Sequence, residues 1–118
     1  MNTEQLKALA LTSLEDMKAR DICILDVSEI SSFTDVMIVC TGGSNRQVKA
    51  IASEVALTAK REGNPPLGVE GEVAAQWILV DLGDVVVHVM QQASREFYQL
   101  EKLWDPELSD DESAEQEE

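Results

Sequence analysis

The fold of this chain is decided by residues 77–90, which read WILVDLGDVVVHVM. Two apolar runs flank the dipeptide Gly83-Asp84, which predicts the tight turn of a β-hairpin. The predicted cross-strand pairs are Leu82 with Val85, Leu79 with His88, and Trp77 with Met90. Alternate side chains then lie on opposite faces. One face is entirely aliphatic and is predicted as core: Ile78, Val80, Leu82, Val85, Val87 and Val89.

The second face of this hairpin combines Trp77, Leu79, Asp81, Val86, His88 and Met90. It therefore brings a large aromatic ring together with an acid and the only histidine of the chain. Because buried polar groups need partners, this face must be covered by something that tolerates them: a helix, another subunit or a binding partner.

The segments before the hairpin predict two helices and two strands. Apolar spacings of three and four predict a helix over residues 3–19, capped by Thr3 or Asn2. Strands are predicted over residues 22–27 and 36–40, and the second, lacking polar residues, should be central. After the turn at residues 41–43, Ser44-Asn45-Arg46-Gln47 has the form of a capping box, and its helix should stop near Gly63.

The segments after this second helix complete the predicted domain. Residues 67–72 are predicted as a loop, and Ser94 is predicted to cap a last helix. The buried side of that helix would consist of Phe97, Leu100, Leu103 and Trp104. The prediction is one α/β domain over residues 1–104, with a small mixed β-sheet and flanking helices.

The charge of the chain indicates its kind of partner. Nine Lys and Arg oppose 23 Asp and Glu, giving a formal charge of −14, and eight of the acids lie in residues 105–118. That acidic tail is predicted to be disordered. The remaining −6 on residues 1–104 disfavours phosphate backbones and suits a basic protein partner, although solubility alone would also explain it.

The location and cofactors of the protein follow from what the sequence lacks. It shows no secretory signal and no apolar stretch of about 20 residues, which predicts a cytosolic protein. Cys23 and Cys40 lie in apolar runs and are interpreted as reduced, buried side chains, a disulfide being the alternative. One histidine and two scattered cysteines make a poor zinc site, so no metal or cofactor is predicted.

Two features resemble parts of an enzyme. The turn Gly42-Gly43-Ser44 before a helix would suit a phosphate, but a tight turn with a helix cap is the favoured interpretation. A nucleotidyltransferase would place paired acids on a following strand, whereas residues 54–57 are helical and contain one acid. His88 with Asp81 would suit a general base, but no nucleophile is found nearby, and a hydrogen-bonded structural histidine is the other interpretation.

Several segments in fixed order carry a family resemblance: DICILDV at 21–27, SSFTD at 31–35, GGSNRQ at 42–47, VEG at 69–71, WILVD at 77–81, GDVVVHV at 83–89 and REFYQLEKLW at 95–104. Together they resemble the ribosomal silencing factor family, also called Iojap-like, over about residues 4–104. The resemblance implies a non-catalytic homodimer with a nucleotidyltransferase-like fold that lacks the catalytic acids. It also implies binding to a basic protein (number fourteen) on the intersubunit face of the large ribosomal subunit, which blocks subunit joining and represses translation under nutrient limitation.

The expected contact surface combines this resemblance with the second hairpin face. Its predicted members are Glu70, Trp77, Asp81, His88 and Tyr98, with Arg95 and Leu100 as weaker candidates. Trp77 and Tyr98 would be aromatic anchors, the acids would meet Lys or Arg, and His88 would orient Asp81. Trp104 is assigned to either the core or an interface. A role in large-subunit biogenesis, an adaptor for another basic protein and a nucleotide-using transferase remain as alternatives.

Overall fold

A computed structural model of the chain describes residues 1–104; the predicted acidic tail and the side chains of residues 103 and 104 lie outside the described part. The elements, in chain order, are α1 (Thr3–Asp16), β1 (Arg20–Asp26), β2 (Val36–Gly42), α2 (Asn45–Arg61), β3 (Gly68–Glu70), β4 (Trp77–Asp81), β5 (Val85–Gln91), α3 (Gln92–Tyr98) and α4 (Leu100–Trp104).

The strands form one five-stranded sheet in the order β1-β2-β5-β4-β3. Strands β2 and β5 are parallel, and the other neighbouring pairs are antiparallel. The predicted α/β class with a small mixed sheet is therefore confirmed. Every residue of β2 is buried, as its apolar run predicts for a central strand.

The hairpin has the register that its sequence pattern predicts. Trp77 pairs with Met90 and Leu79 with His88, and the backbone N–H of Leu82 donates to the carbonyl of Val85 at 2.9 Å. All six aliphatic residues of the first face are buried and pack with residues from α1 and α2. The main core therefore lies between one face of the sheet and these two helices.

The first two helices begin as local chemistry dictates. Asn2, not Thr3, caps α1, and it forms a capping box with Gln5. The hydroxyl of Ser44 accepts from the backbone N–H of Gln47 at 3.1 Å. The side chain of Gln47, however, accepts from the N–H of Gly43 instead of closing the box on Ser44.

Several boundaries differ from the sequence prediction: β1 begins two residues earlier and β2 ends two residues later than predicted. Helix α1 ends at Asp16, three residues early, because Lys18 adopts a positive φ of 60°. Residues 68–70 form the short edge strand β3 inside the predicted loop. The last helix is broken at Gln99, whose φ is 49°, and α3 begins after Gln91 without a side-chain cap, so Ser94 is not the cap.

Cys40 lies fully buried in the main core, which confirms its interpretation as a core side chain. Its burial has an electrostatic effect. It raises the pKa of this thiol to about 12, while Cys23 is half-buried. Among the helices of residues 1–104, none is long and apolar enough to cross a membrane.

Candidate partner-binding surface

The predicted contact residues of the hairpin lie on the sheet face opposite α1 and α2. Glu70 pairs with Leu79, and Leu79 pairs in turn with His88, so the three form a row across β3, β4 and β5. Trp77 and Asp81 flank Leu79 at two-residue spacing and therefore share its face. The structure thus brings Glu70, Trp77, Asp81 and His88 together on one surface.

Helices α3 and α4 cover only part of this face. Helix α3 packs mainly against β2 and β5, and α4 packs against β1. A second, smaller core forms beneath them from Leu25, Val27, Met37, Val39, Met90 and Leu100. At the β3–β4 side, Glu70 stays exposed, and Leu79 and Asp81 stay half-buried. This side of the sheet is therefore available to a partner.

Trp77 is held by a hydrogen bond within the hairpin. Its indole Nε1–H donates to Nδ1 of His88 at 2.9 Å, and the two ring centroids are 5.8 Å apart. His88 itself is only 7% exposed, and burial lowers its pKa to about 4. The imidazole is therefore neutral at physiological pH, with Nδ1 as the acceptor and the proton on Nε2.

Aromatic rings continue outward from Trp77. The ring of Tyr98 lies 4.7 Å from Trp77, and the ring of Phe97 meets Tyr98 edge-on at 5.0 Å. Tyr98 is 49% exposed and Phe97 is 80% exposed. We call His88, Trp77, Tyr98 and Phe97 the aromatic ladder; it runs from the buried imidazole to the solvent.

Phe97 is the surface residue that sequence reasoning missed. Its predicted place on a buried stripe with Leu100 is wrong, because the break at Gln99 turns the two residues apart. Beside Phe97 is a hollow of about 310 Å³, lined by Gln76, Gln91, Ala93, Ser94, Phe97 and Tyr98. The rings and the hollow form one continuous surface at the C-terminal end of β5.

Asp81 is not oriented by His88, contrary to the prediction. Its Oδ1 accepts from the backbone N–H of Gly83 at 2.9 Å, and this bond stabilises the hairpin turn. The hydrogen bond to the turn thus accounts for Asp81, while Nδ1 of His88 accepts from Trp77. Glu70 is exposed and Asp81 half-buried on the same sheet face as Trp77, and Asp81 lies four residues from Trp77 along β4.

Arg95 and Leu100 occupy structural positions instead of the predicted contact positions. Arg95 is 11% exposed as a side chain; its guanidinium donates to the carbonyl of Asp21, to Oγ1 of Thr41 at 2.9 Å and to Glu101 at 3.2 Å. It therefore ties α3 to β1, β2 and α4. Leu100 is 8% exposed and packs in the second core beneath α4.

The glycine turn before α2 is occupied by its own hydrogen bonds. The N–H of Gly43 and the N–H of Gln47 are both bonded locally, as described above. A Cβ added to Gly42 would lie 2.8 Å from Cγ2 of Val48, so close packing of strand on helix explains this glycine. Within residues 1–104, no three His, Cys, Asp or Glu side chains are grouped as metal ligands would be.

The comparisons with known proteins agree on one family. The family model described as "Ribosomal silencing factor during starvation" matches residues 1–118. A ribosomal silencing factor from Chromobacterium violaceum is 48% identical over 104 residues, which cover 88% of this chain and 85% of that protein. A crystal structure of a protein from the same organism matches with a TM-score of 0.86 at 48% identity, covering 88% of this chain and 87% of its own.

A more distant relative comes from mouse. The protein named mitochondrial assembly of ribosomal large subunit protein 1 is 33% identical over 109 residues, which cover 90% of this chain and 48% of that protein. The family resemblance predicted from the sequence is confirmed by the family model and by the relative from Chromobacterium violaceum. This chain belongs to the ribosomal silencing factor family.

Proposed function

We propose that this protein binds the large ribosomal subunit through the aromatic ladder and the acids beside it, and thereby prevents the small subunit from joining. The observation that carries the proposal is the exposed Tyr98–Phe97 pair, continuous with Trp77, on the sheet face that also bears Glu70 and Asp81. Large rings left in water cost free energy, and such patches mark interaction surfaces. The role itself is that implied by the family.

The charge of the chain favours a protein of the ribosome over its RNA as the direct contact. Residues 1–104 carry a net charge of −6, so RNA phosphates would repel this domain and binding would gain little free energy from counterion release. A basic ribosomal protein would instead be attracted, with Lys or Arg meeting Glu70 and Asp81 around the rings. The family resemblance suggests protein number fourteen of the intersubunit face, and we propose it as the partner.

The proposed mechanism is steric and involves no chemistry. A 13.0 kDa domain seated on an intersubunit protein would cover contacts that the small subunit needs. The hydrogen-bonded glycine turn supports a role without nucleotide, and titration calorimetry with ATP or CTP and Mg²⁺ tests it. Heat of binding would revive the transferase alternative. Following the family resemblance, we further propose that the protein acts in the cytoplasm and is a homodimer when not bound, which light scattering tests.

A second candidate function is assistance in large-subunit assembly, favoured by the name of the mouse relative. Both functions would use the same surface, but they differ in when it is used. Anti-association activity acts on finished subunits, whereas an assembly role predicts that precursors of the large subunit accumulate in cells lacking the protein. Ribosome profiles of such cells, in rich and in limiting medium, separate the two.

Sedimentation of purified subunits on sucrose gradients tests the main proposal. Adding the protein should reduce the peak of joined subunits, and the protein should migrate with the large subunit. Trp77→Ala should weaken this binding by about 1–2 kcal/mol or more, since buried aromatic anchors dominate interface energy. Leu57→Ala is the matched control, because Leu57 is an exposed apolar residue of α2, on the other side of the sheet.

Two results would contradict the proposal. The first is a folded Trp77→Ala protein that migrates with large subunits as the original does. The second is a Leu57→Ala protein that loses binding as strongly, which would move the contact to the helical side of the sheet.

A further inference from the structure

His88 is an unusual residue at the centre of the sheet. It lies on β5 between Leu79 of β4 and Val39 of β2, and it is almost fully buried. A valine there would pack without any polar group to satisfy, as Val85, Val87 and Val89 do elsewhere on this strand. The Nδ1 atom of the imidazole accepts a hydrogen bond from the indole N–H of Trp77.

We propose that His88 is a positioning residue for partner binding: it fixes the indole of Trp77 in the one orientation that the partner meets. The inference rests on the function proposed above. The bond acts on one end of the Trp77 side chain, and the ring of Tyr98 contacts the indole at a tilt of 48°, so two different contacts restrain the indole.

The physical advantage is preorganisation. A half-buried tryptophan on a strand has several rotamers available, and a partner that needs one of them must restrict the others on binding. A directional N–H···N bond to a strand at the middle of the sheet restricts them beforehand. Losing that restraint should weaken association by about 3- to 10-fold, without removing any contact with the partner.

The bond also explains why the imidazole is suited to this place. The nearby acid, Asp81, is bonded to the turn at Gly83, so it does not compete for the ring. A neutral imidazole provides one acceptor at Nδ1 and keeps it in the plane of the ring. Asn and Gln are the informative replacements, because the Asn oxygen reaches about where Nδ1 lies, whereas the Gln oxygen reaches farther along the ring.

The first experiment detects the bond in the intact protein. In ¹⁵N-labelled protein, a scalar coupling across the hydrogen bond should connect Nε1 of Trp77 with Nδ1 of His88. Trp77→Phe identifies the indole signal by its disappearance. A His88 ring that lacks the coupling and is protonated at Nδ1 would overturn the proposal.

The second experiment is a double-mutant cycle with large-subunit affinity as the readout. We expect His88→Gln to weaken binding about 3- to 10-fold and His88→Asn to restore most of it. In a Trp77→Phe background, which lacks the indole donor, the two replacements should bind equally well. Equal losses in both backgrounds would mean that His88 acts through general stability, and the proposal would fall.

The cycle separates this proposal from the proposed function. If Trp77→Ala weakens binding but His88→Gln does not, the surface is right and the positioning role is wrong. If Trp77→Ala leaves binding unchanged, the surface itself is wrong, and His88 has nothing to position. Urea unfolding of each variant confirms that the compared proteins are folded.

Discussion

Between pH 7 and pH 5, acid should destabilise this protein mainly through His88, and the size of the effect follows from the burial of this side chain. The ordinary pKa of the imidazole is 6.5, and burial lowers it to about 4 in the folded protein. Between these values the unfolded chain binds a proton that the folded chain does not. The free energy of unfolding therefore decreases as the pH falls through this window, and the full contribution is present only above about pH 6.5.

The magnitude at pH 5 can be worked out from these two pKa values. At that pH nearly all unfolded chains carry the proton, while few folded ones do. The resulting loss of unfolding free energy between pH 7 and pH 5 is about 2 kcal/mol.

Urea unfolding followed by circular dichroism measures the effect, at pH 7, 6 and 5. His88 is the only histidine of the chain, so the slope in this window has one principal source. His88→Asn is the control: its absolute stability will differ, but its pH dependence should be flatter by about 2 kcal/mol over the same range. If both proteins show parallel pH dependence, burial does not lower the pKa of His88 in the folded protein.

Two further substitutions test the supports of the surface. Gly71 has a φ of 92°, and a Cβ there would lie 2.1 Å from the carbonyl oxygen of Trp77, so Gly71→Ala should cost more than about 3 kcal/mol of stability. The control is Gly63→Ala, which should cost only about 1–2 kcal/mol because Gly63 has a φ of 84° but open space around it. Equal decreases in melting temperature for the two variants would refute this reasoning. Arg95→Ala should lower the free energy of unfolding by about 2–3 kcal/mol, because it removes three hydrogen bonds of a charged group. The control is Arg46→Ala at an exposed position, which should cost less than about 0.5 kcal/mol. Similar urea midpoints for the two variants would contradict the structural role of Arg95.

The hairpin was predictable because strand alternation is strict. A shift of one residue would have moved valines into the mixed face, so only one register satisfies the pattern. The buried central strand and the caps of the first helices are equally local signals. The three-residue strand β3 was not predictable, because it has no alternation of its own and exists only by pairing with β4.

The sequence was sufficient to predict which residues share the candidate site, but not which of them form hydrogen bonds with each other. Placing Glu70, Trp77, Asp81 and His88 on one face required only β-sheet parity and the family resemblance. Choosing the partner of His88 required coordinates, because Trp77 and Asp81 are both its diagonal neighbours across the hairpin. In the structure the carboxylate of Asp81 accepts from the backbone N–H of Gly83 in the turn, and the indole of Trp77 donates to the imidazole of His88.

The break at Gln99 has a consequence for how mutational scans of this region should be read. Tyr98 and Leu100 are separated by one residue, yet the left-handed conformation between them sends one ring outward and the other side chain inward. In a mutational scan along the C-terminal helices, substitutions at neighbouring residues would therefore weaken binding to a similar extent for different physical reasons. Loss at Tyr98 would report a missing contact, whereas loss at Leu100 would report a loosened platform, and only stability data collected alongside would tell them apart.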